Sequence, residues 1–164
     1  MNQLETVTDS SGDVTRYFYD AAGRHFRTDL PNGITETRQY NEQDRLVSLE
    51  QRSGNTGAVI LSFLYTLDAV GNRLAVEEQD GRRVAYTYDD LNRLTREAIF
   101  DPGVSAPTRS IVYSYDLVGN RLARVDSTDG ITTYSYDAND RLVNENMGGQ
   151  LTVYSYDDNG NTVS

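Results

Sequence analysis

The stretch Tyr113-Ser114-Tyr115-Asp116-Leu117-Val118-Gly119-Asn120-Arg121-Leu122 recurs along this chain, and its recurrence decides the fold. Its opening tetrad returns as Tyr17-Phe18-Tyr19-Asp20, Tyr65-Thr66-Leu67-Asp68, Tyr86-Thr87-Tyr88-Asp89, Tyr134-Ser135-Tyr136-Asp137 and Tyr154-Ser155-Tyr156-Asp157. Arg38-Gln39-Tyr40-Asn41 is a degenerate copy. Self-similarity at this spacing marks a repeat architecture. The intervals between successive Asp or Asn positions are 21 (20 to 41), 27 (41 to 68), 21 (68 to 89), 27 (89 to 116), 21 (116 to 137) and 20 (137 to 157), so short and long units alternate. The extra residues of the long units fall in Ser53-Gly54-Asn55-Thr56-Gly57 and Asp101-Pro102-Gly103, whose loop chemistry lengthens one edge every second repeat.

The turn after each Asp alternates as well. Gly71-Asn72-Arg73-Leu74 and Gly119-Asn120-Arg121-Leu122 are one residue longer than Asn92-Arg93-Leu94 and Asp140-Arg141-Leu142, which predicts two turn geometries used in rotation. Within a unit, Leu122 to Thr128 and Ile131 to Tyr136 flank Asp129-Gly130, and Asn32-Gly33 and Asp80-Gly81 sit alike. Such dipeptides suit two-residue hairpin turns, whose central positions need positive φ, so the chain reads as an antiparallel meander of hairpins. Thr, Val, Ile and Tyr dominate the runs, all three prolines lie outside them, and no window carries a 3.6-residue apolar stripe, so essentially no helix is expected.

Residues two apart on a strand point the same way, so the two tyrosines of each motif share a face, together with Leu61, Phe63, Val84 and Ile111. Ser114, Ser135, Ser155 and Thr87 mark the wetter face. Stacked repeats then align tyrosines into a ladder, each ring buried while its hydroxyl reaches a polar partner. Strands of about six or seven residues at ~3.3 Å each give a strip ~20 Å wide, and about fourteen of them spaced ~4.8 Å apart predict a ribbon long enough to curve.

Composition narrows the function. Apolar residues make up 37 %, so the core must be thin. A formal net charge of −10, with all 15 cations Arg and not gathered into a stripe, speaks against a nucleic-acid partner. No apolar run approaches the ~20 residues of a membrane span, and the polar opening Met1 to Gly12 is unlike a signal peptide. With no Cys, disulfides, thiolate metal clusters and thiol nucleophiles are excluded. Residues 1–164 read as a single array of about seven repeats that opens and closes within a repeat. Leu4 stands eight residues before Gly12 as Leu122 stands eight before Gly130, and Thr162-Val163-Ser164 begins a strand that does not complete. Arrays of this kind need polar terminal caps, so a segment of a longer parent is expected.

Gly130 to Asp137 with Arg141-Leu142, and the stretch from Tyr113 to Leu122, resemble the YD repeat of Rhs-family proteins, and the resemblance covers nearly the whole chain. That family includes bacterial polymorphic toxins, the shell-forming subunits of ABC toxin complexes, and teneurins. The resemblance implies an all-β fold, an antiparallel hairpin meander wound as a curved, spiralling strip that forms part of a shell. It further implies a secreted or cell-surface parent, neighbouring repeats as partners, and an enclosed toxin domain or adhesion cargo. YD repeats are also associated with carbohydrate binding, so a surface glycan stands as the alternative ligand, and a self-associating repeat module as a third reading.

Catalysis finds little support. The Asp and Arg recurring at each turn read as a structural pair, because Asp or Asn at a turn start accepts backbone N–H bonds and an adjacent Arg can hold its carboxylate. Asp157-Asp158-Asn159-Gly160-Asn161 is similar to the start of a calcium loop but lacks the later bidentate Glu. His25, the sole histidine, has no nucleophile-elbow motif to serve and reads as a surface residue. Asp101-Pro102-Gly103 resembles the Asp-Pro of the family's self-cleaving core, but its place between repeats makes it a turn. The sequence therefore assigns no catalytic, cofactor-binding or metal-ligating residue, calls for no cofactor, describes a non-enzyme, and leaves ligand-binding residues unassigned.

Overall fold

A computed structural model describes residues 3–163; Met1, Asn2 and Ser164, the last of them in the expected incomplete strand, lie outside these. The described residues form fourteen β-strands and no helix, and the strands of each unit lie in the sheet in the order of the sequence. Two compact units divide it, Met1–Arg83 and Val84–Ser164. The first holds β1 (Thr6–Thr8), β2 (Val14–Tyr19), β3 (His25–Asp29), β4 (Ile34–Tyr40), β5 (Leu46–Ser53), β6 (Val59–Leu67) and β7 (Arg73–Glu78). The second holds β8 (Arg83–Tyr88, starting at the boundary), β9 (Leu94–Phe100), β10 (Arg109–Tyr115), β11 (Arg121–Asp126), β12 (Gly130–Tyr136), β13 (Leu142–Met147) and β14 (Gln150–Val153). Pairing is antiparallel in both units. Pro31, Pro102 and Pro107 all lie in loops, where the missing N–H costs the ladder nothing.

Burial alternates as the pattern predicts on β10 and β12, whereas β4, β5 and β13 are half-buried almost throughout. On β12, Thr132 is buried and Tyr134 and Tyr136 half-buried, while Ile131, Thr133 and Ser135 between them are exposed. All twelve tyrosines of the chain are half-buried, and Thr87, Ser114, Ser135 and Ser155 are exposed. Contacts within each unit are confined to neighbouring strands, so no second layer covers either face. The core is accordingly thin: Ala75, Val76, Val84 and Ile111 are the buried apolar side chains among the described residues.

The hairpin loops differ from expectation. Positive φ occurs at Gly33, Gly81 and Gly130 but not at Asn32, Asp80 or Asp129. Leu30 N–H bonds to Ile34 O (2.8 Å) and Gly33 N–H to Leu30 O (3.0 Å), enclosing three residues rather than two. Only the last needs the left-handed region, as in a type I turn followed by a glycine bulge. Asp101-Pro102-Gly103 is a turn as read, with Val104 N–H on Asp101 O (3.2 Å) and Gly103 at φ 77°.

The long loop at Ser53–Gly57 closes against its neighbour, since Gly54 N–H donates to Gly33 O at 2.6 Å. A Cβ on Gly54 would stand 2.3 Å from that oxygen. Gly54→Ala is therefore expected to push the two loops apart and cost about 1–3 kcal/mol; an unchanged urea midpoint would contradict the close approach.

Candidate functional site

The feature that repeats with the tyrosines is the turn that follows them. At positions 20, 41, 68, 89, 116, 137 and 157 the Asp or Asn N–H donates to the carbonyl four residues on (2.9–3.0 Å). Its Oδ1 accepts the N–H groups two and four residues on (2.8–3.0 Å). The residue three further on has positive φ throughout, whether Gly (23, 71, 119, 160), Asn92, Asp44 or Asp140. One turn geometry serves every repeat, which corrects the expectation of two in rotation. The turns are equally long; what varies is the residue four past the Asp or Asn, Arg at 24, 45, 93 and 141 and Asn at 72, 120 and 161. Where it is Arg24, Arg93 or Arg141, its Nε donates to the Asp Oδ2 (2.7 Å). Where it is Asn72, Asn120 or Asn161, its amide does the same (2.9–3.1 Å), and at 73 and 121 the Arg falls one place later. These bonds hold the Asp20, Asp89 and Asp137 carboxyls below the usual carboxylate range, the backbone N–H of Arg24, Arg93 and Arg141 contributing most.

In five of the seven motifs a tyrosine fastens the repeat to the backbone that precedes it. The second tyrosine hydroxyl donates to the backbone carbonyl just past the preceding turn: Tyr40 to His25 (2.7 Å), Tyr115 to Leu94 (2.7 Å), Tyr136 to Arg121 (3.0 Å), Tyr156 to Leu142 (2.8 Å) and, at the first repeat, Tyr19 to Leu4 (3.0 Å). Arginines join the turns themselves. Arg24 reaches Asp44 (2.7 Å), Arg93 reaches Asp116 O (2.9 Å), and Arg45 reaches Ala69 O (2.9 Å). Tyr115→Phe is expected to lower stability by about 0.5–1.5 kcal/mol through loss of one such bond. A denaturation midpoint equal to that of the parent would show that the hydroxyl contributes nothing.

The expected tyrosine ladder has arginine rungs. Tyrosine motifs occupy every second strand, about 10 Å apart at twice the ~4.8 Å strand spacing, which is too far for ring-on-ring contact. Guanidinium groups fill the gap: Arg121 lies over Tyr134 at 4.4 Å and Tyr113 at 5.9 Å, Arg93 over Tyr115 at 4.9 Å, and Arg141 over Tyr156 at 4.8 Å. In the first unit Arg24 lies over Tyr40 at 5.3 Å and Arg73 over Tyr65 at 4.4 Å. These contacts are cation–π interactions, with Arg24, Arg93 and Arg141 half-buried and Arg73 and Arg121 exposed over half-buried rings.

One ionic cluster on the tyrosine face escaped sequence reading. Ile111 on β10 pairs with Asp126 on β11, whose side chain is 0 % exposed. Arg109 holds it through Nε (3.0 Å) and Nη2 (2.6 Å), Arg124 bonds it from its own strand, and Thr128 N–H caps Oδ1 (2.9 Å). The Arg109 bonds above all hold the Asp126 carboxyl far below the usual carboxylate range. Beside it, the Tyr113 hydroxyl donates to Glu97 Oε1 at 2.6 Å, and burial, then this bond, push the phenol up to about 12. The folded state thus keeps a proton that the unfolded chain loses near 10, so the stabilisation is complete below pH 10 and is lost as pH rises towards 12. Between those values the parent should lose stability more steeply with pH than Tyr113→Phe; parallel profiles from urea titrations would contradict the assignment.

His25 is not a free surface residue. It is half-buried on the tyrosine face, 5.5 Å from both the Tyr17 and Tyr19 ring centroids, at the place held by Leu46, Leu94 and Leu142 in other repeats. Its Nδ1 accepts from Arg38 (2.5 Å), so Nε2 carries the proton, within reach of Arg27 O at 3.0 Å. Among the described residues the hydroxyl that meets its Nε2 is that of Thr28, at 2.9 Å. Asp157, the candidate start of a calcium loop, spends Oδ1 and Oδ2 on the common turn.

The RHS Repeat family matches residues 2–24 and 68–98. No curated protein sequence matches the chain. Solved structures do. The crystal structure of TcdB2-TccC3 without hypervariable C-terminal region aligns with TM-score 0.76 and 21 % identity over 92 % of this chain and 9 % of that chain. TcdB2-TccC3-Cdc42 aligns with TM-score 0.68 and 18 % identity over 96 % of this chain and 11 % of that one. A Photorhabdus luminescens Tc holotoxin pore aligns with TM-score 0.61 and 16 % identity over 98 % of this chain and 12 % of that one. The chain therefore spans about a tenth of the length of the solved chains it matches, and at these identities the likeness is one of fold.

Proposed function

We propose that the chain, whose residues 2–24 and 68–98 match the RHS Repeat and whose fold is that of the solved TcdB2-TccC3 chains, is a non-catalytic wall segment of a larger secreted or cell-surface Rhs/YD-repeat shell that encloses or presents a toxin or adhesion cargo. The observation that carries this reading is the fastening of repeat to repeat. Tyrosine hydroxyls bond the carbonyl past the preceding turn, arginines bond the following turn, and both recur with the period of the sequence. Such cross-links stiffen a single sheet layer that has no second layer to hold it. A wall needs that stiffness. Residues 1–164 then form one array continued by neighbouring repeats of the parent, and the matches to roughly 9–12 % of much longer chains support that place.

Cryo-electron microscopy of the full-length gene product tests the reading. A hollow β-shell with residues 3–163 in its wall is the expected result, and a solid particle or an open sheet would overturn it. Glycan recognition is disfavoured because its rings should stand out singly, whereas all twelve tyrosines are half-buried. Specific binding on a glycan array, lost on tyrosine substitution without loss of folding, would reverse that preference.

A further inference from the structure

We propose that the aliphatic turn tips Leu91, Leu117 and Val118 form a preformed ridge that docks a partner protein through an apolar cleft rimmed by lysine or arginine. Leu117 is 100 % exposed, Val118 73 % and Leu91 68 %. Nothing in the turn requires aliphatic residues there: the corresponding places in the later turns of the same unit are Ala138-Asn139 and Asp158-Asn159. Exposed aliphatic residues on adjacent tips are what an interaction site presents.

The ridge is held rigid before any partner arrives. Asp116 pins its own turn through the N–H groups of Val118, Gly119 and Asn120 (2.8–3.0 Å), and Asp89 pins the neighbouring turn through Leu91 and Arg93 (2.9–3.0 Å). Arg93 Nη1 then ties the two turns together by donating to Asp116 O at 2.9 Å. A ridge fixed in this way loses little conformational freedom on docking.

Charge selects the partner. The 89–93 turn carries Asp89 and Asp90 against Arg93, the 116–120 turn carries Asp116 with no cation, and the 137–141 turn carries Asp137 and Asp140 against Arg141. Each has one more carboxylate than guanidinium. Asn120 marks the difference most clearly, because it bonds both Asp116 Oδ2 (3.1 Å) and Asp140 Oδ1 (2.8 Å) without neutralising either. The negative surround repels anionic membranes and a second copy of the same edge, and it favours a basic rim. This inference does not depend on enclosure, since it concerns only the edge of the sheet.

The test places the photo-crosslinker p-benzoylphenylalanine at position 117, or at 139 as control, in the full-length gene product within its source cells. The expected result is a crosslinked peptide from position 117, identified by mass spectrometry as apolar with adjoining Lys or Arg. Its yield should exceed that from 139 at least tenfold and fall at least tenfold when Leu91→Ser and Val118→Ser are added. Because all three side chains are exposed, these variants should keep the parent melting temperature. Equal yields from 117 and 139, a crosslinked peptide without basic residues, or a yield indifferent to the serine substitutions would each overturn the proposal.

Discussion

Ile111→Asp is expected to abolish the folded state of the 84–164 unit at 25 °C, a loss of more than about 4 kcal/mol. Ile111 is 7 % exposed on the tyrosine face and pairs across the sheet with Glu97 on one side and Asp126 on the other. A carboxylate there would be desolvated and set between two others, with Arg109 and Arg124 already engaged by Asp126. Val112→Asp, one residue on, points to the opposite face at 45 % exposure and should change stability by no more than about 0.5 kcal/mol. Far-UV circular dichroism against urea separates the two. Equal effects would mean that the tyrosine face is not the protected one.

Val125→Pro should cost about 3 kcal/mol or more. Val125 lies within β11 and is paired on both sides, with Val112 and with Ile131, so proline removes a ladder bond and crowds its neighbours. The consequence reaches further than the residue. Strands within the unit touch only their neighbours, so stability is close to a sum of nearest-neighbour terms, and weakening β11 loosens β12 to β14 from the strands before it. Hydrogen exchange should show residues 121–153 losing protection before β9 and β10 do. Uniform loss across the unit would argue for all-or-none cooperativity instead.

The parts of this fold that were legible in the sequence are those set by local period. Tyr-x-Tyr-Asp fixes a strand, its face and its end, and alternation along β12 and β6 places the half-buried side chains correctly. Turn length is not legible from the Arg-Leu pair. The structure counts from the Asp, whose carboxylate collects its bonds at fixed offsets, and the Arg simply moves from the fourth place to the fifth. The arginine rungs, the Arg109–Asp126–Arg124 cluster and the Arg38–His25 contact depend on which residues of different strands stand opposite one another, and no spacing along a single strand encodes that. Asp129-Gly130 was half legible: glycine takes the left-handed residue, but Asp126 is drawn in by two arginines.

The mass of the native gene product in its source cells, read by immunoblot against this segment and confirmed by peptide mapping, tests the central claim most directly. A wall segment predicts a product many times the 18.4 kDa of this chain, with peptides from further repeats and from the cargo. A product near 18.4 kDa would contradict it and leave a self-standing repeat module.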